Sequence, residues 1–195
     1  FTTEDGLIHN AAFSIFQDRE GYIWVGNRGG VNRYDGQTFT AFTIEHGLAH
    51  REMAETFQDR DGVLWFGTYG GGVSRYAGKT FTNFATEDGL CSNFLGAILQ
   101  DREGVLWFGA EGKGGISRYD GKTFTNFTAE ELAADYVSSI TQALEGHFWF
   151  GTESGVTRYD GQTFTTFSPK DGLADGAVWT SFQDKDGNLW FGTYY

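Results

Sequence analysis

Short apolar runs alternate with glycine-containing turns along the whole chain. In residues 53–84 the runs are "MAETFQD", "VLWFGT", "VSRY" and "TFTNF", which are rich in aromatic residues, Thr and Val. The segments "RDG", "YGGG" and "AGK" separate them. This pattern predicts four successive strands, at 53–59, 63–68, 73–76 and 80–84, which we call strands A to D. A crossing segment, 85–93, then leads to the next copy of the same pattern.

The pattern repeats through the sequence at a nearly fixed period. The Trp residues of a W-[FV]-G signature lie 41, 42, 42 and 41 residues apart, at Trp24, Trp65, Trp107, Trp149 and Trp190. A period near 40 that is built from strands and glycines is typical of propeller blades. We therefore predict an all-β fold, a β-propeller built from five W-F-G repeats of about 42 residues. Only 129–136, "AEELAADY", has the composition of a brief helix.

The repeats form a single array over residues 1–195, with an incomplete fifth blade. Their bounds are about 8–48, 49–90, 91–132, 133–173 and, in part, 174–195. The chain starts in the register of a strand D end and stops after strand B. We therefore expect a truncated or excised array that has a two- to three-stranded fifth blade or self-associates through it, because open sheet edges attract further strands.

Each repeat carries the same turn residues. Asp-Gly, which tolerates positive φ, marks the C–D turn at 35–36, 120–121 and 160–161, and Ala-Gly replaces it at 77–78. "D-[RK]-[ED]-G" marks the A–B turn at 18–21, 59–62, 101–104 and 184–187, while Ala143 replaces the Asp at 143–146. A calcium loop needs six or more oxygen ligands, so we interpret this turn as a side-chain-capped hairpin.

Four positions besides the turn residues recur and are interpreted as structural. The signature Trp and the Gly two residues later share a strand face, which favours close packing of one blade on the next. Gln ends each strand A and is expected to bond to local backbone groups. An Arg precedes the Tyr of strand C and could form an anion-binding ring, but its recurrence favours a role within each blade, such as pairing with the turn Asp. These arginines are Arg33, Arg75, Arg118 and Arg158.

Composition excludes several classes of function. The chain has 26 acidic and 14 basic residues, a formal charge of −12, which argues against binding nucleic acid or anionic lipid. No apolar run is long enough to insert in a membrane. Cys91 is the single cysteine, and His46 and His50 have i, i+4 spacing without a helical signal. We predict no metal site, no cofactor and no catalytic set.

The repeat resembles that of the two-component regulator propeller family. The matching stretches are "DGLCSN" at 88–93, "DREGVLWFG" at 101–109 and "GISRYDG" at 115–121. Two departures are Ala143 in place of the turn Asp and "EEL" at 130–132, where the crossing Gly is deleted. The resemblance implies a β-propeller in the sensor half of a bacterial membrane-bound regulator, a periplasmic or extracellular location, ligand sensing, and no catalysis.

Differences between the copies are concentrated on one side of the predicted blades. Antiparallel order places the B–C loops and the crossing segments together, and these are the parts that vary. Because binding residues usually lie on loops of a rigid scaffold, we take these variable loops as the candidate binding rim. The candidate residues are His9, Asn10, Asn27, Arg28, His50, Arg51, Tyr69, Ser92, Asn93, Glu111, Lys113, Asp135, Tyr136, Glu153, Asp175 and Tyr194.

These polar and aromatic residues indicate recognition of a polar ligand, such as an oligosaccharide, or of a protein partner. One alternative is a propeller enzyme of the lyase or glycosidase type, with Glu111, Glu153, Asp135 and His50 as acid–base candidates. That alternative requires a convergent pair of carboxyl or imidazole groups with perturbed pKa values, which the sequence does not display. A second alternative is a structural scaffold without a ligand, whose loops vary for want of constraint.

Overall fold

The predicted strands form in every repeat. In the computed structural model, residues 1–194 are described, and they contain four sheets of four antiparallel strands and one sheet of two. The first two sheets comprise β1 (Ala12–Gln17), β2 (Ile23–Asn27), β3 (Gly30–Tyr34), β4 (Phe39–Phe42), β5 (Met53–Gln58), β6 (Leu64–Thr68), β7 (Val73–Tyr76) and β8 (Phe81–Phe84). The others comprise β9 (Leu95–Gln100), β10 (Leu106–Ala110), β11 (Ile116–Tyr119), β12 (Phe124–Phe127), β13 (Val137–Gln142), β14 (Phe148–Thr152), β15 (Gly155–Tyr159), β16 (Phe164–Phe167), β17 (Val178–Gln183) and β18 (Leu189–Thr193).

The all-β class and the four-stranded antiparallel sheets are therefore confirmed. Each complete sheet follows the chain order A-B-C-D, and in the second sheet the predicted bounds agree with the observed ones to within one residue. The C–D turns have the expected glycine conformation, with φ of 97° at Gly36, 87° at Gly78, 95° at Gly121 and 99° at Gly161. The fifth sheet consists of β17 and β18, which correspond to strands A and B.

The crossing segments contain short helices. Four are single 3-10 turns that the sequence analysis did not anticipate, at Thr3–Asp5, Ile44–His46, Thr86–Asp88 and Pro169–Asp171. Each ends at a glycine with positive φ, as at Gly89 with φ of 102°. The fifth is α1 (Ala129–Leu132), which confirms the predicted helix in a shorter form. There Ala133 takes the left-handed position, with φ of 55°, because the crossing Gly is deleted.

The chain divides into two compact units, Phe1–Leu95 and Gly96–Tyr195, with the boundary at the start of β9. The core of the first unit contains Trp24, Val31, Leu48, Met53, Leu64, Phe66 and Tyr76. The core of the second contains Trp107, Ile116, Leu132, Val137, Phe148 and Phe150. Burial of these apolar side chains is the main stabilising contribution in each unit. None of the helices in residues 1–194 is long and apolar enough to span a bilayer.

The signature Trp packs on the following sheet within each unit. Trp24 is 1% exposed, and its ring centroid lies 5.5 Å from that of Phe66 in β6. Trp107 likewise lies 4.3 Å from Phe148 in β14. The Gly two residues later permits this approach, since a Cβ on Gly109 would come within 2.7 Å of Val137 Cγ1. A large ring beside an absent side chain therefore joins consecutive sheets.

Trp190 does not follow this rule. It is 61% exposed, so the expectation that every signature Trp lies in the core is wrong for this copy. The physical reason is that β17–β18 is the last sheet of the described residues, and no following sheet covers the ring. Trp149, by contrast, follows the rule: it is half-buried and packs on Phe191 of this last sheet, at 5.7 Å between ring centroids.

The A–B turn Asp binds Trp and backbone groups rather than Arg. Asp101 Oδ2 accepts a hydrogen bond from Trp107 Nε1 at 2.7 Å, while its Oδ1 accepts from the backbone N–H groups of Glu103 and Val105. The same Trp–Asp bond occurs at Asp18, Asp59 and Asp184. This arrangement supports the interpretation of a capped hairpin, since both carboxylate oxygens are occupied.

Two of the four strand C arginines stack on aromatic rings, and the A–B turn Asp bonds to Trp, which corrects the suggested pairing of these arginines with that Asp. The Arg33 guanidinium carbon lies 4.5 Å from the Tyr22 ring centroid, and Arg75 lies 5.9 Å from the Trp65 centroid. Arg158 has a weak electrostatic effect on Asp160, which belongs to the C–D turn. There the backbone N–H groups of Thr163 and Gln162 lower the pKa of Asp160 to about 2, and the charge of Arg158 contributes least. Arg33 and Arg75 therefore act as stacking residues within their own blades.

The strand A glutamines bond locally, as predicted, and also join neighbouring sheets. Gln58 Nε2 donates to Gly62 O at 3.1 Å, which caps its own turn. Its Oε1 accepts from the backbone N–H of Arg19 in the preceding sheet at 3.0 Å. This second bond is absent from the sequence-based interpretation, because it depends on how the sheets stack.

Candidate functional site

The variable loops lie together at one edge of each unit, as antiparallel order predicts. In the first unit, the crossing residue Asn93 accepts hydrogen bonds through its backbone oxygen from the N–H groups of Gly70 and Gly72, both at 2.9 Å. In the second unit, Glu153 of a B–C loop bonds to the crossing segment that contains Asp135 and Tyr136. The predicted coincidence of the two kinds of segment is therefore confirmed.

Two candidate residues of the first unit are unsuited to binding a ligand because they are buried. Asn27 is 0% exposed; its Nδ2 donates to Asn32 Oδ1, and its Oδ1 accepts from the N–H of Gly29. Ser92 is buried as well, and its hydroxyl accepts from the N–H of Phe94. Both are therefore removed from the candidate set, because their side chains bond to other groups of the protein. Strand B ends at Asn27, and the side chain of Asn27 points inward.

Three more candidates of the first unit stabilise their own turns. His9 Nδ1 accepts from the N–H of Ala11, His50 Nδ1 from that of Glu52, and Asn10 Oδ1 from that of Thr3. The side chains of His9 and Asn10 are exposed, and that of His50 is half-buried. No group of three or more His, Cys, Asp or Glu side chains suited to a metal ion occurs in residues 1–194.

A small aromatic group occupies the loop edge of the first unit. Phe13 of β1 is 47% exposed, and the Tyr69 ring meets it edge to face at 6.5 Å between centroids. The guanidinium carbon of Arg28 lies 5.7 Å from the Phe13 ring centroid. Arg51 is exposed in the neighbouring crossing segment. This edge therefore combines apolar rings with positive charge.

The second unit contains the more developed site, which is centred on Tyr136. The phenolic O–H of Tyr136 donates to Glu111 Oε1 at 2.5 Å, and the ring meets that of Trp179 at 6.0 Å and 65°. The Trp179 ring lies 6.2 Å from that of Tyr194 in turn. Crossing, B–C loop and strand A residues thus form one run of aromatic rings.

Glu153 fixes the crossing segment beside these rings. Its two carboxylate oxygens accept from the backbone N–H groups of Asp135 and Tyr136, at 2.8 and 3.0 Å. Such charge-assisted hydrogen bonds are short and strong, so they hold the segment in one conformation. The ring of Tyr136 is therefore positioned before any ligand arrives.

These groups enclose a cleft with a volume of about 280 Å³. Its lining residues are Asp135, Tyr136, Glu153, Ala177, Val178 and Trp179. Adjoining hollows extend the surface past Glu130 and the exposed Lys113. An aromatic and aliphatic wall with a few carboxylates at its margin has the composition of a small-ligand site.

Trp179 is the principal site residue that sequence reasoning missed. It lies in β17, which was interpreted as an ordinary strand A, and it is 52% exposed. Its counterparts in the other copies are Phe13, Ala54, Gly96 and Ser138. The variation at this strand A position is the sequence signal that marks Trp179.

Asp175 and Lys113 contribute less to the cleft. Asp175 is half-buried and accepts the N–H of Gly176 through Oδ1 at 2.6 Å, so it shapes the crossing segment. Lys113 is exposed at the margin of the adjoining hollow. The structure therefore unites Glu111, Asp135, Tyr136, Glu153 and Tyr194 around Trp179 and leaves these two at the periphery.

Glu55 is a carboxyl in the first unit that lies outside the variable loops. It belongs to β5, and burial raises the pKa of its carboxyl, although the N–H of Thr56 acts in the opposite direction. A folded-state pKa above the unfolded value makes the ionised form cost stability. That cost grows as the pH rises from the unfolded pKa through the folded one.

We expect Glu55→Gln to stabilise the protein at pH 7, with an advantage that disappears once the pH falls below the unfolded pKa, where both states bind the proton. Urea unfolding of both proteins across the acid range measures this difference. Glu45→Gln, at an exposed position of the same unit, is the control. An advantage that persists undiminished at low pH would show that charge does not cause it.

The fold within each unit, four-stranded antiparallel sheets joined through Trp and Gly, defines a protein of the β-propeller class. The family model described as "Two component regulator propeller" matches residues 6–29, 48–70, 89–112 and 172–195. The chain therefore carries repeats of the two-component regulator propeller family, and the resemblance inferred from the sequence is confirmed.

Three known proteins illustrate the likeness. Histidine kinase P4 of Formosa agariphila is 45% identical over 42 residues, which is 22% of this chain and 3% of that protein. The extracellular domain assigned to a hybrid two-component system of B. thetaiotaomicron is 22% identical over 94% of this chain and 28% of that chain, with a TM-score of 0.78. Virginiamycin B lyase from Staphylococcus aureus, solved as an inactive variant with quinupristin, is 16% identical over 96% of this chain and 66% of the lyase, with a TM-score of 0.77.

The chain thus spans a small part of the histidine kinase and less than a third of the extracellular domain it matches. At 16% and 22% identity the two structural likenesses establish a shared fold and carry no site residues across. The function of the chain must therefore be argued from its own loops.

Proposed function

We propose that the chain is a non-catalytic recognition module of an extracellular or periplasmic sensor, built as a propeller array. Its ligand is a polar molecule of the oligosaccharide type, and the binding site is the cleft between Tyr136 and Trp179. The observation that carries the proposal is the pair of accessible rings held at an angle beside fixed carboxylates. Family membership and the sensor proteins among the relatives support the same class of function.

Saccharides suit this composition for a physical reason. A pyranose ring has C–H faces that pack on aromatic rings and hydroxyl groups that donate to carboxylates. Trp179 offers half of its surface for the first contact, and Asp135 lies at the margin for the second. The volume of about 280 Å³ lies at the lower end of the range of ligand pockets, about 300–1,000 Å³, so the cleft suits a short saccharide or the end of a longer one.

The carboxylates of the cleft support recognition rather than acid–base catalysis. Both oxygens of Glu153 accept backbone N–H groups, and Glu111 accepts the phenolic proton of Tyr136. These bonds give each group a positioning task within the protein. A hydrolase or lyase needs two such groups directed at one reacting bond, and the lyase among the relatives shares only the fold.

Trp179→Ala should weaken ligand binding by about tenfold or more, because loss of about 1.4 kcal/mol of ring contact changes the dissociation constant tenfold. The assay is calorimetric titration of the chain with a panel of neutral and acidic oligosaccharides. Removal of an exposed ring leaves the core untouched, so the variant should unfold like the parent protein.

Phe182→Ala is the matched control. Phe182 lies in the same strand, is 62% exposed, and does not line the cleft. It should bind like the parent protein. Equal weakening by both variants, or binding that is insensitive to Trp179, would place the ligand elsewhere, and a panel without any bound saccharide would refute the proposed ligand class.

A further inference from the structure

The cleft combines inclined aromatic rings with a negatively charged margin. A neutral saccharide does not need both features in order to bind. The aromatic rings of the cleft are inclined to one another, with Tyr136 and Trp179 at 65° and Trp179 and Tyr194 at 45°. Its margin is negatively charged, because Asp135 and Glu153 line it and Glu130 lies in the adjoining hollow. Aromatic faces attract cations through the ring quadrupole, most strongly for Trp.

Asp135 is the carboxylate best placed to meet a ligand. It is exposed, and its side chain accepts no hydrogen bond from residues 1–194, whereas its backbone N–H is held by Glu153. A carboxylate with a fixed backbone and an uncommitted charge beside aromatic rings is a counter-ion for an ammonium group. An anionic sugar would face repulsion from the same group.

We infer that the ligand carries an organic ammonium group, so that the cleft selects an amino sugar over its neutral analogue; this inference rests on the proposed function. The ammonium group lies against the faces of Trp179 and Tyr136 with Asp135 as its counter-ion. The sugar ring occupies the wall that Ala177 and Val178 complete. Lys113 lines the adjoining hollow and is not among the residues that line the cleft itself.

The test compares two forms of one oligosaccharide. The full chain is titrated with a tetramer of glucosamine and with its N-acetylated form, chitotetraose, which has the same backbone without the charge. We expect the deacetylated tetramer to bind about tenfold more tightly, with a preference that falls at high salt because the site is exposed. Equal affinity for the two forms, or tighter binding of the acetylated one, overturns the inference and leaves the proposed function intact.

Variants locate the charge recognition. Asp135→Asn should weaken binding of the deacetylated tetramer severalfold more than binding of the acetylated form, because the Asn side-chain oxygen still accepts a saccharide hydroxyl but carries no charge. Asp186→Asn removes the same charge from an exposed A–B turn of the same unit and should change neither. Silence of Asp135→Asn, equal effects of the two variants, or failure of the glucosamine tetramer to bind each overturns the inference. Failure of every saccharide in the broader panel is the separate result that refutes the proposed function.

Discussion

Trp107→Ala should destabilise the second unit by about 3–5 kcal/mol, the range for truncation of a buried aromatic side chain. Trp107 is 3% exposed and contacts Phe148 and Phe150 of the following sheet as well as Phe127 of its own. Truncation removes the ring from the contact between two sheets and leaves a cavity that β-sheets cannot collapse to fill. It also removes the donor that satisfies Asp101.

Trp190→Ala provides the control from within the same unit. Trp190 occupies the same repeat position and donates the same hydrogen bond to an Asp, yet its ring is 61% exposed. Its truncation should cost about 1 kcal/mol or less, in the range of a surface hydrogen bond. Urea unfolding monitored by circular dichroism compares the two variants. Similar losses for both would mean that the ring stabilises each sheet internally, rather than through the contact between sheets.

The sequence predicts the local part of this fold because each repeat encodes its own sheet. Strand bounds follow from apolar runs, and the turns follow from Asp-Gly pairs that accept positive φ, as at Gly121. The strand and turn pattern occurs in five copies. The loss of Asp at Ala143 or of Gly at 130–132 therefore does not prevent its recognition. The burial of Trp24 and Trp107 is predictable from the Gly two residues after each Trp. A Gly at this position of every copy indicates that the neighbouring sheet packs closely there.

The candidate site is predictable only in outline, because it depends on how segments from different repeats meet. Loop variation indicates the edge that carries the candidate site, but it includes Asn27, whose side chain turns inward to bond Asn32. It omits Trp179, whose ring contact with Tyr136 results from the position of β17 beside the crossing segment. The Arg33 contact with Tyr22 is similarly a matter of side-chain stacking across strands, which residue spacing does not specify.

The departure at Ala143 has a measurable energetic consequence. In this turn the indole N–H of Trp149 is buried and has no hydrogen-bond partner among residues 1–194, whereas each turn that keeps its Asp accepts a bond from the corresponding Trp. An unsatisfied buried donor costs about 1–3 kcal/mol. The backbone of the turn is already suitable, since Ala143 N–H donates to His147 O at 2.8 Å as Asp101 N–H does to Val105 O.

Ala143→Asp should therefore stabilise the second unit by about 1–2 kcal/mol, and Asp101→Ala should destabilise it by about 2–3 kcal/mol, because hydrogen bonds to charged groups contribute about 1.5–3 kcal/mol. Space for the new carboxylate is expected, since Asp59 and Asp101 occupy the same position while almost fully buried. Urea unfolding gives both values. Leu144→Asp, which adds the same charge at the next, exposed residue, controls for the overall acidity of the chain. If Ala143→Asp is no more stable than Leu144→Asp, the indole N–H is not a source of instability, and the shared turn Asp contributes through its backbone caps alone.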